Sequence, residues 1–201
     1  MSTTIYETTA AGSGAVEFLW SLLPVIILGV IIGTALGMNR SHTYRRIIAD
    51  FFANRYQGLE RKAERIRKKV GPNRRGKMRK ENATAYNNLC HVLASLALFR
   101  GDDAAFLDRI SEMEYEDEYA LRPFTLALYY LMMQQPEVAE EHYFDFNACP
   151  QEDDSMKIVM DHLFDRENAG IEAEDLYAAL GQFKNPATVY LLKKVGLLED
   201  E

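Results

Sequence analysis

The longest apolar stretch of the chain runs from Phe18 to Asn39, FLWSLLPVIILGVIIGTALGMN, 22 residues without a formal charge. As a helix it would be about 33 Å long, close to the ~30 Å of a bilayer's hydrocarbon layer, so it predicts a transmembrane helix over 18–39. Trp20 stands near one end, where an indole favours the water–lipid boundary. After Arg40 the pattern changes. Ile48, Phe52, Tyr56, Leu59, Ala63, Ile66 and Val70 fall three or four apart, which predicts an amphipathic helix ended by Gly71-Pro72-Asn73. From Glu81 on, no strand alternation is sustained. Helical spacing broken by Gly and Pro predicts helices at about 81–99, 103–114, 119–134, 137–147, 153–166, 172–181 and 186–195. The expected class is all-α.

Charge divides the 201 residues into blocks. Residues 1–39 hold two carboxylates and no Lys or Arg. Residues 40–80 hold 15 Lys/Arg against Asp50, Glu60 and Glu64, a balance of +12. Residues 81–201 hold 8 Lys/Arg against 25 Asp/Glu, a balance of −17. The expected organisation is a short extracytoplasmic tail (1–17), the transmembrane helix (18–39), a basic juxtamembrane helix and linker (40–80) and an acidic helical domain (81–201). Basic residues flanking a span stay on the cytoplasmic side, so the N-terminus is expected outside and the C-terminal domain inside. A cleaved signal peptide would place basic residues before a shorter apolar core, the reverse of this order. A bacterial inner membrane is favoured over a mitochondrial outer membrane.

Gly29, Gly33 and Gly37 recur every four residues and share a helix face, where a second transmembrane backbone could approach closely. The basic block admits three readings. Arg40, Arg45, Arg46 and Arg55 could contact anionic lipid headgroups, at ~1 kcal/mol per cation near the surface. Tyr56 to Val70 could extend the span as a short coiled coil. Phosphate contacts to nucleic acid are the third, and no motif with interleaved stacking aromatics supports them.

Within the acidic block three sets of positions align at a spacing of 34 residues: Val92, Leu126 and Met160; Leu96, Tyr130 and Phe164; Ala105, Ala139 and Ala173. Large residues on one helix and a small one on the next suit stacked helix hairpins. The period and the pattern of Leu126, Ala127, Tyr130, Ala139 and Tyr143 resemble the tetratricopeptide repeat, over roughly residues 86–187. The family's opening tryptophan is absent, its slots holding Leu89, Pro123 and Lys157. The resemblance implies an antiparallel hairpin array closed by a capping helix over 188–198. It also implies an inner groove holding Asn87, Cys90 and Ala94, then Leu121, Phe124, Leu128 and Leu131, then Ile158 and His162. Such a groove would take an amphipathic helix or a basic segment of a protein partner. The same residues could instead be core, covered by the basic helix or by another copy of the chain.

Candidate chemistry is sparse. His142 and His162 each stand near carboxylates but lack a second histidine at helical spacing, so no metal is expected. Cys90 and Cys149 read as packed thiols, no cofactor motif occurs, and no enzymatic activity is expected. The reading is a membrane-anchored cytoplasmic adaptor that binds a protein partner. The alternative is a structural subunit that self-associates through the glycine face and the juxtamembrane helix. A cytoplasm-active reporter fused after Glu201 is expected to be active; activity there of a reporter that works only after export would reverse the topology.

Overall fold

The structure is a computed structural model that describes residues 42–73, 76–113, 120–150, 153–165 and 170–199. The chain divides into two compact units, Met1–Thr43 and Tyr44–Glu201, and the described residues belong to the second apart from His42 and Thr43. The apolar run 18–39, Gly29, Gly33 and Gly37 within it, and Arg40 lie outside the described residues. Among the described residues no helix is long and apolar enough to cross a membrane.

Nine helices and no strand occur among the described residues. They are α1 (42–52), α2 (Leu59–Val70), α3 (Lys80–Phe99), α4 (Asp103–Ser111), α5 (Leu121–Met132), α6 (Pro136–Asn147), α7 (Asp154–Phe164), α8 (Ala173–Leu180) and α9 (Pro186–Lys194). The seven helices expected after Glu81 are all present, each within three residues of its expected ends. Local chemistry accounts for the boundaries. The Asp153 carboxylate accepts from the backbone N–H groups of Ser155 and Met156 at 3.0 and 3.1 Å, and the Asn185 side chain accepts from Ala187 at 3.0 Å. Pro136 and Pro186 open α6 and α9, where a missing N–H costs nothing.

The basic stretch folds as two helices, not one. After α1 the N–H of Arg55 bonds the carbonyl of Asp50 at 2.8 Å and that of Asn54 bonds Phe51 at 3.0 Å. Asn54 takes φ 55°, a left-handed helix stop that asparagine tolerates. The chain re-enters helix at Gly58, φ 65°. This break resets the phase of the stripe. Ile47 and Phe51 are buried in α1, whereas Ile48 is half-buried and Phe52 is 46% exposed. In α2 the expected Leu59, Ala63 and Ile66 are the buried ones.

Consecutive helices pack as hairpins: α2 on α3, α3 on α4, α5 on α6, and α7 on α8. Two apolar clusters form on either side of α3. One joins Ile47 and Phe51 of α1, Leu59, Ala63 and Ile66 of α2, and Leu89, Val92, Leu93 and Leu96 of α3. The other joins Cys90, Ala94 and Ala97 of α3 to Phe106, Phe124, Leu128, Phe146 and Met160. Because α1 and α2 share a core with α3, residues 44–80 belong to the same compact unit as the acidic helices.

The 34-residue echo holds better on the first helix of each pair than on the second. Val92, Leu126 and Met160 are all buried, although Val92 faces α2 while the other two face the larger cluster. Ala139 is buried, Ala105 half-buried and Ala173 exposed, because Ala173 is the first residue of α8. The last helix also departs from expectation. Instead of lying over the α7–α8 pair as a cap, α9 turns back onto α5 and α3. Phe183, just before it, stacks on Phe124 with ring centroids 5.6 Å apart, and Leu191 and Leu192 enter the larger cluster.

Phe106 is buried against Tyr129, 4.5 Å between ring centroids, so Phe106→Ala is expected to cost ~3–5 kcal/mol in urea unfolding. Gly101 has φ 69° with open space around it, so Gly101→Ala is expected to cost only the left-handed backbone strain, about 1–2 kcal/mol. A loss in Gly101→Ala as large as ~3–5 kcal/mol would contradict the reading of open space there, and a loss in Phe106→Ala of only about 1–2 kcal/mol would contradict its place in the core.

Candidate functional site

The residues expected to line an open groove are mostly enclosed. Asn87, Cys90, Ala94, Phe124 and Leu128 are at most 1% exposed. Leu121, Leu131, Ile158 and His162 are half-buried. Cys90, Ala94, Phe124 and Leu128 share the larger cluster, so these groove positions are core, filled by the chain's own helices. The helical period identifies an apolar face but does not say what covers it; here the covering elements include α4 and α9.

A charged clamp ties α2 to α3 and α4. Arg67 Nε and Nη2 donate to the Glu64 carboxylate at 2.9 and 2.8 Å. Its Nη1 donates to Glu112 at 2.5 Å and to the Tyr86 hydroxyl at 3.1 Å. Arg109 Nη1 donates to the other Glu112 oxygen at 3.0 Å. Hydrogen bonds from Arg67 hold the Glu64 carboxyl below the usual carboxylate range. Cys90 lies beneath this clamp, its thiol 3.6 Å from Glu112; burial first, then the Glu112 charge, pushes the thiol up to about 12. It is therefore no nucleophile at neutral pH. Burial raises Cys149 as well. Gly71 lies close to the clamp, where an added Cβ would stand 2.9 Å from the Tyr86 ring. The Glu64–Arg67 and Arg109–Glu112 pairs are each three residues apart in sequence, whereas the Arg67–Glu112 contact joins positions 45 residues apart and leaves no local signal.

A second polar group sits within the fold. Asn87, His91 and Ser95 follow one another at four-residue steps on α3, and all three are buried. The Ser95 hydroxyl donates to the His91 carbonyl at 2.6 Å, while both amide atoms of Asn87 and Nε2 of His91 have no hydrogen-bond partner. Burial lowers the His91 pKa to about 4, so the ring is neutral at physiological pH.

The surface separates the charges. On α6 and α8, the helices that flank α7, Phe144 is 62% and Tyr177 75% exposed. Glu140, Glu141 and Asp145 surround Phe144 in sequence, and Glu174 and Asp175 precede Tyr177, all exposed. Tyr143 is anchored beside Phe144 by stacking on Phe164 at 5.0 Å and by donating to Asp161 at 3.0 Å. Cations occupy α1 and α2. Arg45, Arg46 and Arg55, expected to meet headgroups, are all exposed, as are Arg61, Lys62, Arg65, Lys68 and Lys69. Arg55 is paired with Asp50 at 2.8 Å. Among the described residues no three His, Cys, Asp or Glu side chains converge as a metal site.

Searches of family models, of curated proteins and of solved structures give no match to this chain.

Protonation of His91 must be accompanied by loss of the fold's stability. Its folded pKa lies below the ordinary value near 6.5, so the stability it lends is complete above pH ~6.5 and falls as the pH drops toward about 4. The gap corresponds to about 3 kcal/mol. Urea unfolding between pH 7 and 4.5 should show this slope in the native chain and lose it in His91→Leu; an unchanged slope in that variant would place the titration elsewhere.

Proposed function

We propose that the protein is a membrane-anchored adaptor whose acidic helical domain holds a basic segment of a protein partner on the outer faces of α6 and α8. The observation that carries this reading is the pair of exposed aromatics, Phe144 and Tyr177, each set among carboxylates in a block carrying −17. Aromatic side chains left in water among like charges match the anchors of an interface, with the carboxylates as its charged rim. The 22-residue apolar run supports the anchor, which would raise the local concentration of the partner at the bilayer. The expected internal groove gives way to this outer surface, because the groove positions are packed.

We further read the hairpins α3–α4, α5–α6 and α7–α8 as a degenerate tetratricopeptide-like array. The buried Val92, Leu126 and Met160 support that reading. A second occupant has a specific argument in its favour: the cations of α1 and α2 in another copy of the chain complement the same acidic surface, as a self-associating subunit would require.

Phe144→Ala with Tyr177→Ala is expected to lower partner recovery in membrane cross-linking at least tenfold, at ~1–2 kcal/mol per anchor. Both side chains are exposed, so the unfolding midpoint should not move. Glu141→Lys should weaken recovery further, and added salt should mimic it. Unchanged recovery in the double variant would remove this surface from the adaptor reading. Cross-links between differently tagged copies alone would favour self-association.

A further inference from the structure

Two cavities open side by side around the α1–α2 turn. The first, about 840 Å³, is lined by Arg46, Asp50, Asn54, Arg55 and Lys62. The Arg55–Asp50 pair largely cancels within it, leaving Arg46 and Lys62 as its uncompensated charges. The second, about 360 Å³, is lined by Phe52, Phe99, Val189 and Tyr190 together with Lys184 and Lys193. Asn54 and Tyr56 line both cavities and form the wall between them. That wall is ordered: the Tyr56 hydroxyl donates to Asn54 Oδ1 at 2.6 Å, and its ring packs 5.4 Å from Phe99, which in turn lies 5.5 Å from Tyr190.

We propose that these adjoining cavities bind one anionic phospholipid from the bilayer, its phosphate between Arg46 and Lys62 and an acyl chain against Phe52, Phe99 and Tyr190. Neither half alone carries the assignment. Cations on a helix surface attract any anion, and an aromatic hollow takes any apolar group. A cationic hollow sharing a wall with an aromatic one selects a molecule with a phosphate at one end and hydrocarbon at the other. Phe52 supports the apolar half: it is 46% exposed on a helix whose neighbour Phe51 is buried. The position along the chain supplies the source. Arg46 follows the last residue of the apolar run, Asn39, by seven residues, a reach of at most about 25 Å. The assignment rests on reading residues 18–39 as the membrane anchor. A free phosphate compound would use the first cavity and leave the second empty.

The full chain, returned to nanodiscs of phosphatidylcholine containing a minor share of phosphatidylglycerol with a photoreactive acyl chain, tests this. Illumination and mass spectrometry should find adducts on Phe52, Val189 or Tyr190. Arg46→Gln with Lys62→Gln should reduce them about 25-fold, roughly fivefold per charge. Arg61→Gln with Arg65→Gln, exposed cations outside both cavities, should leave them within about twofold. Phe52→Ser should reduce labelling of Val189 and Tyr190 while the circular dichroism of the helices is unchanged. Adducts confined to residues 18–39, or equal losses in the two arginine-containing pairs, would overturn the site in favour of diffuse attraction. Displacement of the lipid by inorganic phosphate or glycerol phosphate at matching concentration would overturn the lipid as the source. Alkaline extraction separates the two premises: a chain that stays in the membrane without these adducts loses the site alone, and a chain that is released loses the anchor as well.

Discussion

The enclosure of α3 is the constraint on which the other helices depend. Ten consecutive residues, Leu89–Leu98, are buried, so the helix has no wet face along its second half. A helix stretch buried on all sides must be surrounded, and one hairpin partner covers only a single stripe of it. The chain supplies neighbours from both directions. α1 and α2 close over Leu89, Val92, Leu93 and Leu96; α4, α9 and the cluster around Phe124 close over Cys90, Ala94 and Ala97. The return of α9 from the far end of the sequence follows from this demand. A cap on the last hairpin would have left one side of α3 open to water.

The clamp at Arg67 gives that packing its register. Apolar contacts between α2 and α3 would tolerate a small slide along the helix axis, whereas a guanidinium shared among Glu64, Glu112 and Tyr86 does not. Gly71 is part of the same arrangement, since a side chain there would press on the Tyr86 ring. The buried polar column Asn87–His91–Ser95 works in the opposite sense. Its unpartnered amide and imidazole atoms cost stability, and they make the centre of the domain sensitive to acid.

The sequence was most legible where one local signal decides the outcome. Helix ends were readable because Pro136 and Pro186 act on their nearest neighbours; the side-chain caps at Asp153 and Asn185 act at the same short range and reinforce those ends. The stop at Asn54 was not, because an asparagine between apolar positions of unbroken helical spacing carries no obvious mark; the left-handed turn shows only in the backbone. The groove failed for a different reason. Periodicity gives the apolar face of α3 and α5, but the occupant of that face is set by contacts far apart in sequence, such as Phe124 with Phe183. Exposure of Phe144 and Tyr177 was equally hidden, since the positions 34 residues away give no common signal: Ile110 is buried, Arg109 and Tyr143 are half-buried and Ala178 is exposed.

The packing of α1 and α2 onto α3 also has an electrical consequence. Cations on the first two helices and carboxylates on α6 and α8 are held in one compact unit, so they cannot swing independently on a flexible tether. Such a body carries a permanent dipole. Beside an anionic leaflet the field would exert a torque as well as an attraction, aligning the unit so that its negative helices look toward the aqueous phase.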